Sequence, residues 1–237
     1  MKTVFHKSST RGGQDHGWLK TYHSFSFANF YDPSKMNFGA LRVLNDDTIE
    51  KGKGFGEHGH SNMEIITIPL SGELAHKDSM GNSGSIQKGE IQVMSAGKGI
   101  HHSEFNDSKD NPASFFQIWV VPNKQNVESR YDQFRISDEA KPNDFQQIIS
   151  PNKDDEGSWI HQNAWFNILK TDKSISKKYN LNDTQNGVYI FVISGSAKIN
   201  SQVLNEKDAL GIWQVSDFEI EASENSEILL SEVPMSV

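Results

Sequence analysis

The 237-residue chain contains no cysteine. That removes thiolate metal sites, disulfides and cysteine nucleophiles from consideration. It has no apolar run long enough to cross a bilayer, and its start, M-K-T-V-F-H-K-S-S-T-R, lacks the apolar stretch of a secretory leader. A soluble, cytoplasmic protein is therefore expected. Basic residues are in deficit: 23 Lys and Arg against 31 Asp and Glu give a formal net charge of −8. With no basic stripe, direct nucleic-acid binding and attachment to an anionic membrane are not expected. No serine sits in a nucleophile elbow, and neither a P-loop nor a dinucleotide fingerprint is present.

What the chain does have is clustered histidine. Five of its nine histidines lie between His58 and His102. One end of this stretch reads G-K-G-F-G-E-H-G-H-S-N-M-E and carries His58, His60 and Glu64. The other reads S-A-G-K-G-I-H-H-S-E-F-N and carries His101, His102 and Glu104. Residues two apart on a strand share a face, so His58 with His60, and His102 with Glu104, can each present two donors to one point. Two such pairs meeting inside a small barrel would make a mononuclear site of three nitrogens and one carboxylate oxygen. Neutral imidazole with carboxylate suits a divalent first-row transition metal. Glu64 is the alternative carboxylate, because residues 58 to 64 share parity if the strand stays regular. His-Ser-Glu favours Glu104, two residues from an imidazole already at the ion. His101 points the other way and is expected at the rim. His76 is divided between a pocket-rim and a turn role, while Asp78 and Asn82 read as turn residues.

Short apolar runs separated by turns dominate the rest. M-E-I-I-T-I-P-L, I-Q-K-G-E-I-Q-V-M and S-F-F-Q-I-W-V-V-P read as strands, as do F-N-I-L-K-T, V-Y-I-F-V-I, A-L-G-I-W-Q-V, D-F-E-I-E-A and E-I-L-L-S-E-V-P. H-S-F-S-F is strand-like, and G-A-L-R-V-L is a strand closed by an Asn-Asp-Asp turn. Met63, Met94, Phe116, Ile118 and Trp119 are expected to fill the barrel, with one or two of them lining a pocket. Residues 123–165 are polar, and P-N-K-Q-N-V-E-S-R-Y-D-Q-F could form a helical turn or two. The two halves also echo each other. I-P-L-S-G-E-L near Gly72 matches F-V-I-S-G-S-A near Gly195, which sets His58 and His60 opposite Leu181 and Asp183. The second copy thus keeps the strand pattern without the imidazoles.

The first histidine segment resembles the first cupin motif through Gly52, His58, His60 and Glu64. The second resembles the second cupin motif through His102 and Asn106, with Ser95 where proline is usual and two additional residues before the histidine. The finer resemblance is to the pirin family of bicupins, carried by F-G-E-H-G-H-S-N-M-E-I-I-T, H-K-D-S-M-G-N, Q-V-M-S-A-G-K-G-I and H-S-E, and upstream by H-S-F-S-F-A-N-F and F-G-A-L-R-V-L-N-D-D. Gly59 departs from the more common His-Pro-His.

That resemblance implies an all-β fold of two tandem cupin (jelly-roll) barrels: a metal-binding domain over 1–125, a linker and start of the second unit over 126–165, and a C-terminal cupin without metal ligands over 166–237. It implies His58, His60, His102 and Glu104 as ligands, Fe(II) as the favoured ion, and Ni, Mn, Co, Cu or Zn as alternatives. It further implies quercetin 2,3-dioxygenase activity on a small aromatic enol or phenol with dioxygen: oxidative ring opening of a flavonol with release of carbon monoxide, Glu104 taking the hydroxyl proton. The alternative is a metal-dependent regulatory or redox-sensing protein acting on a protein partner. A chain that carries both barrels is expected to be a monomer.

Overall fold

The computed structural model describes residues 1–136 and 142–236. Among the described residues the regular structure is almost wholly β, the one helical element being a 3-10 turn at Ser8–Thr10. Four sheets make two units. The first pairs a seven-stranded sheet, ordered Arg130–Arg135, Glu90–Ser95, Glu64–Ser71, Ala113–Val120, Leu41–Ile49, Leu19–His23, Gly12–Asp15, with a four-stranded sheet, ordered Gly54–His60, Ile100–Phe105, Glu73–Asp78, Ser83–Gln87. The second unit repeats the plan. Its large sheet is ordered Lys2–His6, Ala209–Trp213, Asn186–Ser194, Glu227–Pro234, Trp165–Lys170, Phe145–Ser150, Ser158–Trp159, and its small sheet Ile175–Asn180, Asp217–Ala222, Ser196–Ile199, Gln202–Asn205. The expected all-β architecture of two barrels is what the chain forms.

The repeat extends to backbone detail. Gly72 and Gly195, matched in the sequence, turn equivalent corners at φ +73° and +79°. A Cβ at Gly72 would meet the backbone of Ala113 at 2.9 Å, and one at Gly195 would meet that of Ser226 at 2.8 Å. Both hairpins therefore need glycine for conformation and for space.

The units exchange edge strands. Lys2–His6 pairs with Ala209–Trp213 of the second sheet, whereas Arg130–Arg135, downstream of residue 125, pairs with Glu90–Ser95 of the first. The possible helix in P-N-K-Q-N-V-E-S-R-Y-D-Q-F is thus a bent, irregular segment running into an edge strand. Between the units lies one continuous core containing Phe25, Phe116, Ile118, Tyr189 and Phe191, with the Phe116 and Phe191 rings 5.3 Å apart. Arg11 and Lys207 both reach Asp46, each at 3.2 Å.

Three local expectations give way here. Strand parity sends Phe116 and Ile118 outward to the second unit, so they do not fill the first barrel; Phe115, Gln117 and Trp119 point the other way. The H-S-F-S-F segment leaves the sheet after His23 and keeps only a single bridge, Phe27 to Phe30. The Asn-Asp-Asp "turn" is no turn: the strand Leu41–Ile49 runs straight through it, because pairing on both sides outweighs the turn preference of those residues.

Candidate metal centre

The first barrel's small sheet carries the histidines. Gly54–His60 pairs with Ile100–Phe105 so that His102 lies opposite His58, and Ile100 opposite His60. Alternation along Ile100–Phe105 buries Ile100, His102 and Glu104 and exposes His101 and Phe105. His101 lies on the outer face against Gly59, where a Cβ would come within 2.9 Å of its Nε2. Glycine between the two histidines therefore leaves room for that ring.

Inside, the imidazoles of His58, His60 and His102 converge, each offering a ligand atom within 4.8 Å of the others. Their ring centroids stand 4.4 Å (His58 to His102), 4.9 Å (His58 to His60) and 5.0 Å (His60 to His102) apart. His60 Nε2 and His102 Nε2 are 3.0 Å apart. Two nitrogens each about 2.1 Å from one ion would stand about 3 Å apart at a right angle. His58 Nδ1–H donates to the Gly56 carbonyl at 2.9 Å, which leaves its Nε2 lone pair free. Burial, with His58 adding to it, lowers His60 to about 4. Burial and the neighbouring histidines lower His102 to about 3. This favours neutral imidazoles with lone pairs to give at His60 and His102, and the three-histidine donor set fits a divalent first-row ion.

Glu104 shares the inward face of His102 and is fully buried. A bulge between His102 and Glu104 shifts the register against the neighbouring strand and re-aims the side chain. Its carboxylate accepts from Gln117 Nε2 at 3.1 and 3.3 Å, beside the imidazole cluster and outside its 4.8 Å grouping. Burial pushes Glu104 up to about 7, with Asp47 adding to the rise and Gln117 and Thr67 opposing it.

Glu64 is elsewhere. The strand does not stay regular through residue 64: it ends at His60, Asn62 turns at φ +48°, and Glu64 opens a strand of the large sheet. There it accepts from Ser95 Oγ at 2.7 Å and from the His161 backbone, with Arg130 near. His76 is buried behind His102, stacked on Tyr131 with centroids 4.8 Å apart and bonded through Nε2 to Asp78 Oδ2 at 3.2 Å. Asp78 in turn accepts from the Met80 and Asn82 amides, the turn role expected of it.

The histidines open onto a cavity of about 390 Å³ lined by Trp18, Phe27, Phe55 and Trp119 together with Asn45, Asp47, Glu104 and Gln117. Of these, Trp119, Glu104 and the histidines are visible in the sequence pattern. Asn45 and Asp47 are concealed by their resemblance to a turn, and Gln117 by its apolar neighbours in S-F-F-Q-I-W-V-V-P. Alternation along that run, polar Gln117 between Phe116 and Ile118, is the signal that could have exposed it.

In the second barrel the corresponding place carries other side chains. Ile65 faces Trp119 in the first unit, and its counterpart Val188 faces Glu232 in the second. The Glu232 carboxylate accepts from Tyr179 OH, the Asn182 amide and side chain, the Asp183 amide and Asn186 Nδ2, at 2.9–3.1 Å. Leu181 packs against the core.

Residues 4–120 match the Pirin family and residues 147–233 the Quercetinase C-terminal cupin domain. The chain is similar to the quercetin 2,3-dioxygenase of Escherichia coli, 41% identical over 96% of this chain and 97% of that protein. It is also similar to a pirin-like protein of Caulobacter vibrioides, 37% identical over 92% of this chain and 94% of that protein. Among solved structures, bacterial pirin YhhW of Escherichia coli in complex with nickel(II) is 38% identical, with all of both chains covered and a TM-score of 0.93.

Proposed function

Because the chain belongs to the pirin family, we propose that it is a metal-dependent dioxygenase opening the ring of a flavonol such as quercetin, with His58, His60, His102 and Glu104 as the metal ligands. The observation that carries this reading is the convergence of three imidazoles at an aromatic cavity that also holds a buried carboxyl group. A divalent first-row ion in that donor set supplies a redox-capable Lewis acid for an enol substrate. Iron(II) is the ion we favour, and the nickel complex of the Escherichia coli relative makes nickel the one to test beside it.

The chain's own residues have separable tasks. His58 and His60 are fixed by one strand and His102 by its neighbour, so the site needs no ordering when it fills. Trp18, Phe27, Phe55 and Trp119 offer apolar walls to a flat aromatic and keep water from it. Gln117 anchors the Glu104 carboxylate within the cavity, where an Oε can accept the proton of an enolic hydroxyl.

The test begins with elemental analysis of protein purified without added metal. Oxygen uptake and carbon monoxide release are then measured with quercetin after loading with iron(II), nickel(II) or manganese(II). Stoichiometric uptake with one of these ions is expected. Metal-replete protein that leaves quercetin intact in air with every ion would remove the proposal.

A further inference from the structure

The barrel with the histidines is polar at a place where its repeat is apolar. Across the large sheet of the first unit, pairing sets Gln92 opposite Thr67, Thr67 opposite Gln117, and Gln117 opposite Asn45. Residues paired across strands share a face, and Gln117 and Asn45 line the cavity that the histidines open onto. The whole rung therefore faces the barrel interior. The second unit builds the same rung from other material. With Gly72 matched to Gly195, Thr67 corresponds to Ile190, which pairs with Leu210 on one side and Leu230 on the other. All three belong to that barrel's apolar core. The architecture thus accepts isoleucine and leucine at these positions, and Gln92, Thr67 and Gln117 stand in the unit that has the histidines.

Two of the three side chains are joined to Glu104 in a directed string. Thr67 Oγ1–H donates to Gln117 Oε1 at 3.1 Å, and Gln117 Nε2–H donates to the two Glu104 oxygens at 3.1 and 3.3 Å. A carboxamide carries its donor and its acceptor on one rotatable group. The buried Thr67 hydroxyl engages the acceptor end and so turns the donor end toward Glu104. Without that hydroxyl the amide is free to turn over and set Oε1 against the carboxylate, acceptor facing acceptor.

We propose that Thr67 is a positioning residue for the metal centre: it fixes the direction of the Gln117 amide, and through it the aim of the Glu104 carboxylate at the ion. The inference rests on the reading of Glu104 as the fourth ligand. Groups that orient a metal ligand govern affinity by about tenfold or more, and a hydroxyl absent from the other barrel's rung is placed to do so here.

The test is the nickel(II) affinity of the metal-stripped full chain, measured by competition with a chromogenic chelator. Thr67→Val keeps the shape of the side chain and removes its donor; Thr67→Ala removes the donor without crowding, should valine disturb folding. Either should bind nickel about tenfold more weakly than the parent, while Thr67→Ser, which restores the donor, should recover the parental affinity. In a Glu104→Gln background, Thr67→Val should weaken nickel no further, because the carboxylate it positions is gone. Parental affinity in the valine and alanine variants would overturn the proposal. So would the same loss with either glutamate or glutamine at position 104, since Thr67 would then be acting on the fold alone. Glu104→Gln protein that holds nickel as tightly as the parent would instead remove Glu104 from the ligand set, and this inference with it.

Discussion

His60 Nε2 lies 3.0 Å from His102 Nε2, although 42 residues separate them in the chain. Antiparallel pairing of Gly54–His60 with Ile100–Phe105 brings them together, and the same pairing sets His58 opposite His102. Replacing His58 and His60 by alanine removes two of three nitrogens while leaving the backbone ladder in place. The double variant should therefore lose its metal in elemental analysis and keep the β-sheet circular dichroism of the parent. Unchanged metal stoichiometry would refute the ligand assignment.

In the proposed mechanism, Glu104 separates binding from turnover. Glu104→Gln keeps the volume and leaves the three imidazoles, so the ion should remain, bound more weakly. Loss of the proton acceptor should lower oxygen uptake with quercetin by about 10²–10⁴-fold. Gln117→Leu leaves the carboxyl group present but without its anchor, so kcat should fall by less, with KM nearly constant. If Glu104→Gln turns quercetin over at the parental rate, the carboxyl group has no part in the chemistry.

The three imidazoles were legible because strand periodicity converts a His-x-His spacing into a shared face without any tertiary information. The carboxylate was legible only in part. Parity allowed both Glu64 and Glu104, and what separates them is a turn at Asn62 that carries Glu64 into the opposite sheet. The cavity's polar wall was hidden for a different reason. Asn45-Asp46-Asp47 has the composition of a turn, and only pairing with Leu19–His23 on one side and Ala113–Val120 on the other holds it extended. Nor does local sequence mark the exchange of edge strands, since Lys2–His6 finds its partner some two hundred residues away.

Asp47 gives the fold a measurable pH signature. Burial pushes its carboxyl group up to about 7, with Thr21 opposing and Asp46 adding to the rise. Below the unfolded value, near 4, the group is protonated in both states and costs nothing. As pH rises toward 7 the unfolded chain releases a proton that the folded protein retains, so folding stability falls across that window. Asp47→Asn abolishes this dependence and also relieves Glu104, which the Asp47 charge pushes up. In metal-stripped protein the variant's stability relative to the parent should grow between pH 4 and pH 7, reaching on the order of a few kcal/mol. Urea unfolding across that range gives the difference directly; a constant offset would mean that Asp47 is ionised in the fold throughout.

Glu232 tests whether the second barrel is held by polar closure where the first has its histidines. Its carboxylate takes hydrogen bonds from Tyr179, Asn182, Asp183 and Asn186, which draws the chain just after Ile175–Asn180 onto the interior strand Glu227–Pro234. Glu232→Gln turns one of its two acceptor oxygens into a donor facing other donors, and the buried side chain cannot reach solvent to compensate. The loss should be about 2–4 kcal/mol, lowering Tm by roughly 5–15 °C for a chain of this size. Metal content should be untouched, because Glu232 lies in the unit without the histidines. A variant that loses metal along with stability would show the two barrels unfolding as one cooperative body, the outcome to expect if the shared core of Phe25, Phe116, Tyr189 and Phe191 outweighs each barrel's separate closure.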